Sequence, residues 1–188
     1  MDIMIDTTNI VLETPRLILR AFTQNDLHDF FAYASVPGVG EMAGWNHHET
    51  LADTQRVLDM FLAEKNIFAL VDKETGKVIG SFGLHHAHLE GTEYALLRTK
   101  EIGYVLAKDY WGRGLMCEAV GEVLRFCFET LGAELVTVGH YEDNVQSRRV
   151  IEKCGFSYLR TYYSEKHAKN VLEYVIKPSC KTAKNVLY

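Results

Sequence analysis

Residues Tyr110–Glu118, with the sequence YWGRGLMCE, place two glycines between two different hydrophobic patterns. The preceding residues 101–106 (EIGYVL) predict a β-strand, whereas the apolar residues from Leu115 to Leu131 repeat at helical spacing. Glycine lets the backbone turn tightly and approach a ligand closely. The first turn of a helix adds free N–H groups and the positive end of the helix dipole. The junction therefore predicts a binding site for a phosphate or diphosphate group.

Two other phosphate-binding motifs with glycine at a strand-to-helix turn fit this stretch poorly. A P-loop requires Gly-Lys-Ser/Thr, which the chain lacks. A dinucleotide-binding fingerprint requires a third glycine where this chain has Cys117, and it opens a parallel unit. Here strand-like segments with short turns come before the loop, which is typical of antiparallel strands.

Composition and charge exclude several classes of protein. The 188 residues predict one domain, residues 1–178, followed by a C-terminal tail, residues 179–188. The hydrophobic content of 47% argues against disorder, and the net charge of −5 gives no surface for nucleic acid. We find no signal peptide, no membrane-spanning run and no Cys-x-x-Cys pair, so we expect a cytoplasmic protein with reduced thiols and no membrane partner.

The order of predicted elements is strand, two helices, three strands, helix, strand, helix and two strands. The strand-like segments are residues 10–22, 66–71, 77–88, 94–106, 135–141, 156–163 and 171–176. Helical spacing covers residues 27–34, 50–65, 115–131 and 144–153. This order predicts an α+β fold with a mixed, mostly antiparallel twisted sheet of about seven strands and about four flanking helices.

Four stretches resemble, in the same order, conserved parts of the GCN5-related N-acetyltransferases, the GNAT superfamily. They are an opening strand, a fourth strand, a cofactor loop and a late helix: residues 12–20 (LETPRLILR), 101–106, 110–119 (YWGRGLMCEA) and 143–156 (DNVQSRRVIEKCGF). The resemblance spans nearly the whole chain and is greatest to the ribosomal-protein alanine N-acetyltransferase (RimJ/RimL-like) branch. The chain departs from the superfamily pattern at Trp111, Met116 and Ile151. At Ile151 many relatives have a tyrosine that protonates the leaving thiolate.

The resemblance implies the acyl-CoA N-acyltransferase fold, acetyl-CoA as co-substrate and a primary amine as acceptor. For this branch the expected acceptor is a protein or peptide N-terminal α-amine, and a homodimer is expected. Three alternatives stay open: acetylation of a small amine (polyamine, amino acid or aminoglycoside), an acyl-CoA-binding module with weak catalysis, and a nucleotide-binding enzyme.

The resemblance also assigns candidate residues to the cofactor. Backbone N–H groups of the loop would hold the diphosphate; the loop residues are Trp111, Gly112, Arg113, Gly114, Leu115, Met116 and Cys117. Two neighbouring strands would separate, so that the pantetheine binds the exposed edge at Tyr104, Val105 and Leu106. Asn144 would bind the pantetheine or the region of the sulfur.

Candidate residues for the chemistry are few. The amine must lose a proton to attack, and Glu101, whose strand borders the proposed site, is our first candidate for the base. Glu165, in the last hairpin, is the second candidate. Ser147 is the candidate donor to the leaving thiolate, and Trp45 and His85 are candidates for the wall of the acceptor site.

We expect no metal site. The histidines that come closest to a metal set are His47 with His48, and His85, His86 and His88, but adjacent side chains of a strand point to opposite faces. No constellation of carboxylates and histidines is visible in the sequence.

Overall fold

An eight-stranded sheet runs through the computed structural model, which describes residues 2–178 of the chain. The strands are β1 (Leu12–Glu13), β2 (Leu17–Ala21), β3 (Ile67–Asp72), β4 (Val78–His85), β5 (Thr99–Leu106), β6 (Leu135–Tyr141), β7 (Ser157–Ser164) and β8 (Lys169–Ile176). Their order across the sheet is β1-β2-β3-β4-β5-β6-β8-β7. All neighbours are antiparallel except β5 and β6, so the mixed, mostly antiparallel α+β fold is confirmed.

Helices cover both faces of this sheet. They are α1 (Leu27–Ala34), α2 (Leu51–Glu64), α3 (Leu115–Arg125) and α4 (Val145–Lys153), and a π-helical turn, Phe126–Thr130, continues α3. The helices α1 and α2 pack with β3 around Phe30, Leu58 and Ala69 on one face. The helix α3 packs with β5 and β6 around Ala119 and Ile102 on the other.

The periodicity in the sequence placed most of these elements correctly. Leu17 and Leu19 of β2, which alternate with Arg16, Ile18 and Arg20, are completely buried. The predicted start of one strand was wrong: the strand expected to begin at Tyr94 begins at Thr99. The residues before it form loops and turns, and Tyr94 packs against a small apolar cluster that includes Ala87 and Leu89.

None of the helices between residues 2 and 178 is long and apolar enough to span a membrane. Three cysteines of this part, Cys117, Cys127 and Cys154, are free thiols. The predicted tail, residues 179–188, lies outside the described residues, and so does Cys180.

Candidate active site

The strands β5 and β6 separate in the middle of the sheet. They pair in parallel from Thr99 with Leu135 to Ile102 with Val138, and this pairing then stops. Both strands continue, β5 to Leu106 and β6 to Tyr141, while β5 stays paired with β4 throughout. A wedge-shaped gap therefore opens at Gly103, next to the edge from Tyr104 to Leu106 that the resemblance implied would be exposed.

The edge of β5 that faces this gap is formed by Tyr104 and Leu106. The carbonyl of Val105 points to β4, since a Cβ on Gly80 would lie 2.3 Å from it, and backbone groups alternate in direction along a strand. The carbonyl of Leu106 already accepts a hydrogen bond from the indole of Trp111, at 2.7 Å. Of the three edge candidates, Val105 thus turns its backbone away, and Tyr104 offers both its N–H and its carbonyl.

The glycine loop leads from β5 into α3 and has the shape of an anion site. Gly112 (φ 76°) and Gly114 (φ 78°) are both left-handed, a region that other residues rarely adopt. The first backbone bond of α3 runs from the N–H of Glu118 to the carbonyl of Gly114. By helix geometry, the N–H groups of Leu115, Met116 and Cys117 have no partner inside the helix. The side chains of Leu115 and Met116 are buried, so these two residues offer a ligand only their main chain.

A polar clamp that the sequence did not indicate holds this loop. Glu118 accepts hydrogen bonds from the backbone N–H of Arg16 (2.8 Å) and from its Nε (2.8 Å), and a third from the hydroxyl of Thr14. Arg16 also donates to the carbonyl of Arg113, at 3.0 Å. Because the carbonyl is turned toward Arg16, the contact fixes the orientation of the peptide unit between the two glycines. The side chain of Arg113 itself is exposed and lies over the ring of Tyr110.

The start of α4 lies beside the gap. Asn144 caps this helix, because its side-chain oxygen accepts from the N–H of Ser147 at 3.0 Å, and its amide donates to the carbonyl of Met42 at 3.0 Å. These contacts favour a structural role for Asn144 in joining α4 to the loop between α1 and α2. The hydroxyl of Ser147 lies 3.1 Å from that of Tyr104. Burial raises the pKa of Tyr104, so its hydroxyl stays protonated at neutral pH.

Two carboxylates lie on the face of the sheet opposite to that of the Tyr104 side chain. Glu101 is beside Thr137 of β6, and Glu173 of β8 is beside Gly139, two residues further along β6 and therefore on the same face. Burial and, second, the charge of Glu173 raise the pKa of Glu101 to about 7. Glu173 is only 4% exposed and is paired with Arg160 at 2.6 Å. The sequence did not indicate Glu173 or Arg160, because a charged residue in a strand pattern usually faces solvent.

Of the other candidate residues, His85 lies beside Glu101, whereas Trp45 and Glu165 lie outside the strands that border the gap. His85 pairs with Glu101 in register, its ring lies over Gly83 and Gly103, and burial lowers its pKa.

Trp45 packs on Gly40 and on the ring of His48, as an anchor of the loop between α1 and α2. A turn of this loop, Glu41–Ala43, contacts β5 and β6 and so covers the gap on the side of Glu101. Glu165 is exposed in the turn between β7 and β8, so the structure brings Glu173, and not Glu165, to Glu101.

The fold with its separated parallel strands and glycine loop is that of the acyl-CoA N-acyltransferases. The family model described as "Acetyltransferase (GNAT) domain" matches residues 16–157. The chain therefore belongs to the GNAT acetyltransferases and is an N-acetyltransferase.

Known proteins that are similar to this chain are also described as acetyltransferases. The uncharacterized N-acetyltransferase YoaA of Bacillus subtilis (strain 168) is 28% identical over 151 residues, which are 78% of this chain and 82% of that protein. The crystal structure of a GNAT-family acetyltransferase from Bacillus anthracis has a TM-score of 0.78 at 21% identity and covers 89% of this chain and 98% of its own. That of the ribosomal-protein-S5-alanine acetyltransferase from Vibrio fischeri has a TM-score of 0.67 at 16% identity and covers 92% and 98%. At these identities the two structures show the shared fold.

Proposed function

We propose that this N-acetyltransferase acts on the N-terminal α-amine of a protein or peptide, with acetyl-CoA as the donor. The observation that carries the proposal is Glu101, a carboxylate with a pKa of about 7 at the head of the strand gap. The fold shared with the ribosomal-protein-S5-alanine acetyltransferase from Vibrio fischeri supports it, as do the stretches that resemble the RimJ/RimL-like branch.

The pKa of Glu101 suits an α-amine. An α-ammonium group has a pKa near ~8, whereas that of a lysine ammonium is near ~10.4. Proton transfer to a base of pKa about 7 is then uphill by about 1 unit from an α-amine and by more than about 3 units from lysine, and each unit is about 1.4 kcal/mol.

The donor's diphosphate would be held by the loop. The backbone N–H groups of Gly114, Met116 and Cys117 would bind it, with Arg113 adding positive charge. The N–H and carbonyl of Tyr104 would bind the pantetheine as an added strand does. Acetyl-CoA supplies an acetyl thioester to this arrangement.

The residues around the gap would then move two protons. Glu101, through one water, takes a proton from the ammonium group, and the free amine attacks the thioester carbonyl to form a C–N bond. A backbone N–H of the β5 edge donates to the oxyanion of the tetrahedral intermediate. As the C–S bond breaks, the thiolate accepts a proton from the hydrogen-bonded hydroxyls of Ser147 and Tyr104, and the second proton that the attacking nitrogen loses would restore that hydroxyl pair through water. Tyr104 thus provides a hydroxyl that Ile151, buried in the core, does not.

An acceptor panel tests the proposal by following the release of free thiol from acetyl-CoA. The panel contains peptides beginning with Ala, Ser or Met, the same peptides with a blocked N-terminus and an internal lysine, and a polyamine, free amino acids and an aminoglycoside. We expect turnover of the free N-termini and none of the blocked peptides. Turnover of the small amines alone contradicts the acceptor class. Binding of CoA without turnover of any acceptor supports a binding module instead.

A further inference from the structure

The five residues that follow β4 form a polar surface beside a buried stripe. Ala87 and Leu89 are buried in a small apolar cluster with Leu135 and Val175. His86, His88 and Glu90, which alternate with them, are exposed. Alternation of buried and exposed residues is the geometry of extended backbone, and it turns these three side chains to the same side. His86 and His88 are among the histidines for which the sequence predicted no metal site, and Glu90 adds a carboxylate that was not counted with them.

The potential ligand atoms of the three residues converge. Those of His86, His88 and Glu90 all lie within 4.8 Å of one another, and His86 Nε2 is 4.0 Å from Glu90 Oε1. The two imidazole rings are nearly perpendicular, with 4.9 Å between their centroids. Zinc ligands lie about 2.0–2.2 Å from the ion, so ligands around one ion are about 3–3.5 Å apart. Small rotations of exposed side chains would close this difference.

A carboxylate lies behind His86. Asp2 Oδ1 is 3.5 Å from His86 Nδ1, and the same oxygen accepts hydrogen bonds from Lys100 Nζ and the Ile3 N–H, each at 2.9 Å. Lys100 is buried, so the position of Asp2 is well defined. A carboxylate on one imidazole nitrogen is the usual arrangement behind a metal-bound histidine, and it leaves the other nitrogen for the ion. In this chain the other nitrogen faces Glu90.

We propose that His86, His88 and Glu90 bind one divalent cation of the zinc class, with Asp2 orienting His86. Two imidazoles and one carboxylate suit Zn²⁺, Ni²⁺ or Cu²⁺ better than Mg²⁺ or Ca²⁺, which prefer oxygen ligands. Exposure of the three side chains leaves space for water to complete the coordination.

The site is separate from the acetyl-transfer site but connected to it through Arg160. Arg160 Nη2 donates to the carbonyl of His88 at 2.7 Å, and Nε of the same side chain pairs with Glu173. Because the three proposed ligands are not residues of the acetyl-transfer site, the binding of the ion can be measured without following acetyl transfer.

Calorimetric titration of the metal-stripped full chain with Zn²⁺, in a non-coordinating buffer, tests the proposal. We expect one ion per chain and an affinity at least about tenfold weaker in His88→Ala and in Glu90→Gln. Asp2→Asn, which leaves all three ligands in place, should weaken binding by about tenfold, the lower end of second-shell effects. His28→Ala, which removes an exposed histidine of α1, is the matched control and should bind as the unchanged chain does.

Three results would overturn the site. They are no binding by the unchanged chain, equal affinity in His88→Ala, and competition by Mg²⁺ at the same concentration as Zn²⁺. Because His88 and Glu90 are exposed, we expect His88→Ala and Glu90→Gln to keep the melting temperature of the unchanged chain when no metal is added. A loss of binding is then a loss of ligands.

Discussion

The raised pKa of Glu101 favours activity but lowers the stability of the folded chain above about pH 7. Its pKa in the folded chain is about 7, above the usual 4.5, so the folded state holds this proton more tightly than the unfolded state does. Its contribution to the free energy of unfolding therefore falls as the pH rises from about 4.5 to about 7, and it stays low above that. The same shift lets the carboxylate act as a base near neutral pH.

Glu101→Gln should therefore stabilise the protein while slowing it. We expect a free energy of unfolding higher by about 1–3 kcal/mol near pH 8 and almost unchanged near pH 4.5, because the shift of about 2.5 units is the upper limit of the gain. Denaturant unfolding at the two pH values measures this change in the free energy of unfolding.

In the pH–rate profile, the rise in rate near pH 7 should disappear in Glu101→Gln. Glu173→Gln, which removes the neighbouring charge, should move this rise to lower pH. A rise that stays at pH 7 in Glu101→Gln would exclude this residue as the base.

Tyr104→Phe removes the hydroxyl that lies 3.1 Å from Ser147. A general acid usually contributes about 10²–10⁴-fold, but a thiolate is a good leaving group, so we expect a decrease in kcat of about 10–100-fold. The loss should shrink above about pH 8.5, where a thiolate needs no proton, and the KM for acetyl-CoA should change little. Tyr158→Phe, which removes a hydroxyl 2.8 Å from Thr161 on β7, is the matched control. A kcat equal to that of the unchanged chain would remove Tyr104 from the mechanism.

At the scale of elements, the glycine loop and α3 act as one unit. The left-handed Gly114 directs the first N–H groups of α3 outward, and the clamp from Arg16 to Glu118 ties the unit to the turn between β1 and β2. A Cβ on Gly114 would approach only Arg16, at 3.8 Å, so backbone strain and not crowding constrains this position.

Gly114→Val should separate folding from cofactor binding. We expect a loss of about 1–2 kcal/mol in the free energy of unfolding, the cost of a left-handed residue with a side chain. The affinity for CoA should fall at least about tenfold, because one lost hydrogen bond to a charged group costs about 1.5–3 kcal/mol. Gly76→Val, at a left-handed glycine in the turn between β3 and β4, is the matched control and should lose stability but keep the affinity. Unchanged affinity for CoA in Gly114→Val would mean that the diphosphate binds elsewhere.

At the scale of the whole molecule, the sequence predicted the order of elements and the loop but not the partners across the sheet. The alternation in β2 and the helical spacing of α3 are local patterns, so they could be read directly. The pairs Arg160 with Glu173 and Arg16 with Glu118 join residues 13 and 102 positions apart, and no local pattern reports such contacts. For the same reason, Glu165 was considered as a base and Glu173 was not.

The sheet consists of two parts that are joined along only four residue pairs, from Thr99 with Leu135 to Ile102 with Val138. A ligand that fills the rest of the gap would join β1–β5 to β6–β8, and it would stabilise the fold by mass action. At 100 times the Kd of CoA, we expect a gain of about 2.7 kcal/mol. For a chain of this size that gain corresponds to a melting temperature higher by about 5–10 °C.

Thermal unfolding measures the increase, and hydrogen exchange should show new protection at Tyr104, whose N–H faces the gap. Pantetheine alone, without the diphosphate, should give little of either effect at the same concentration. If saturating CoA raised the melting temperature without protecting the Tyr104 amide, the ligand would bind outside the gap.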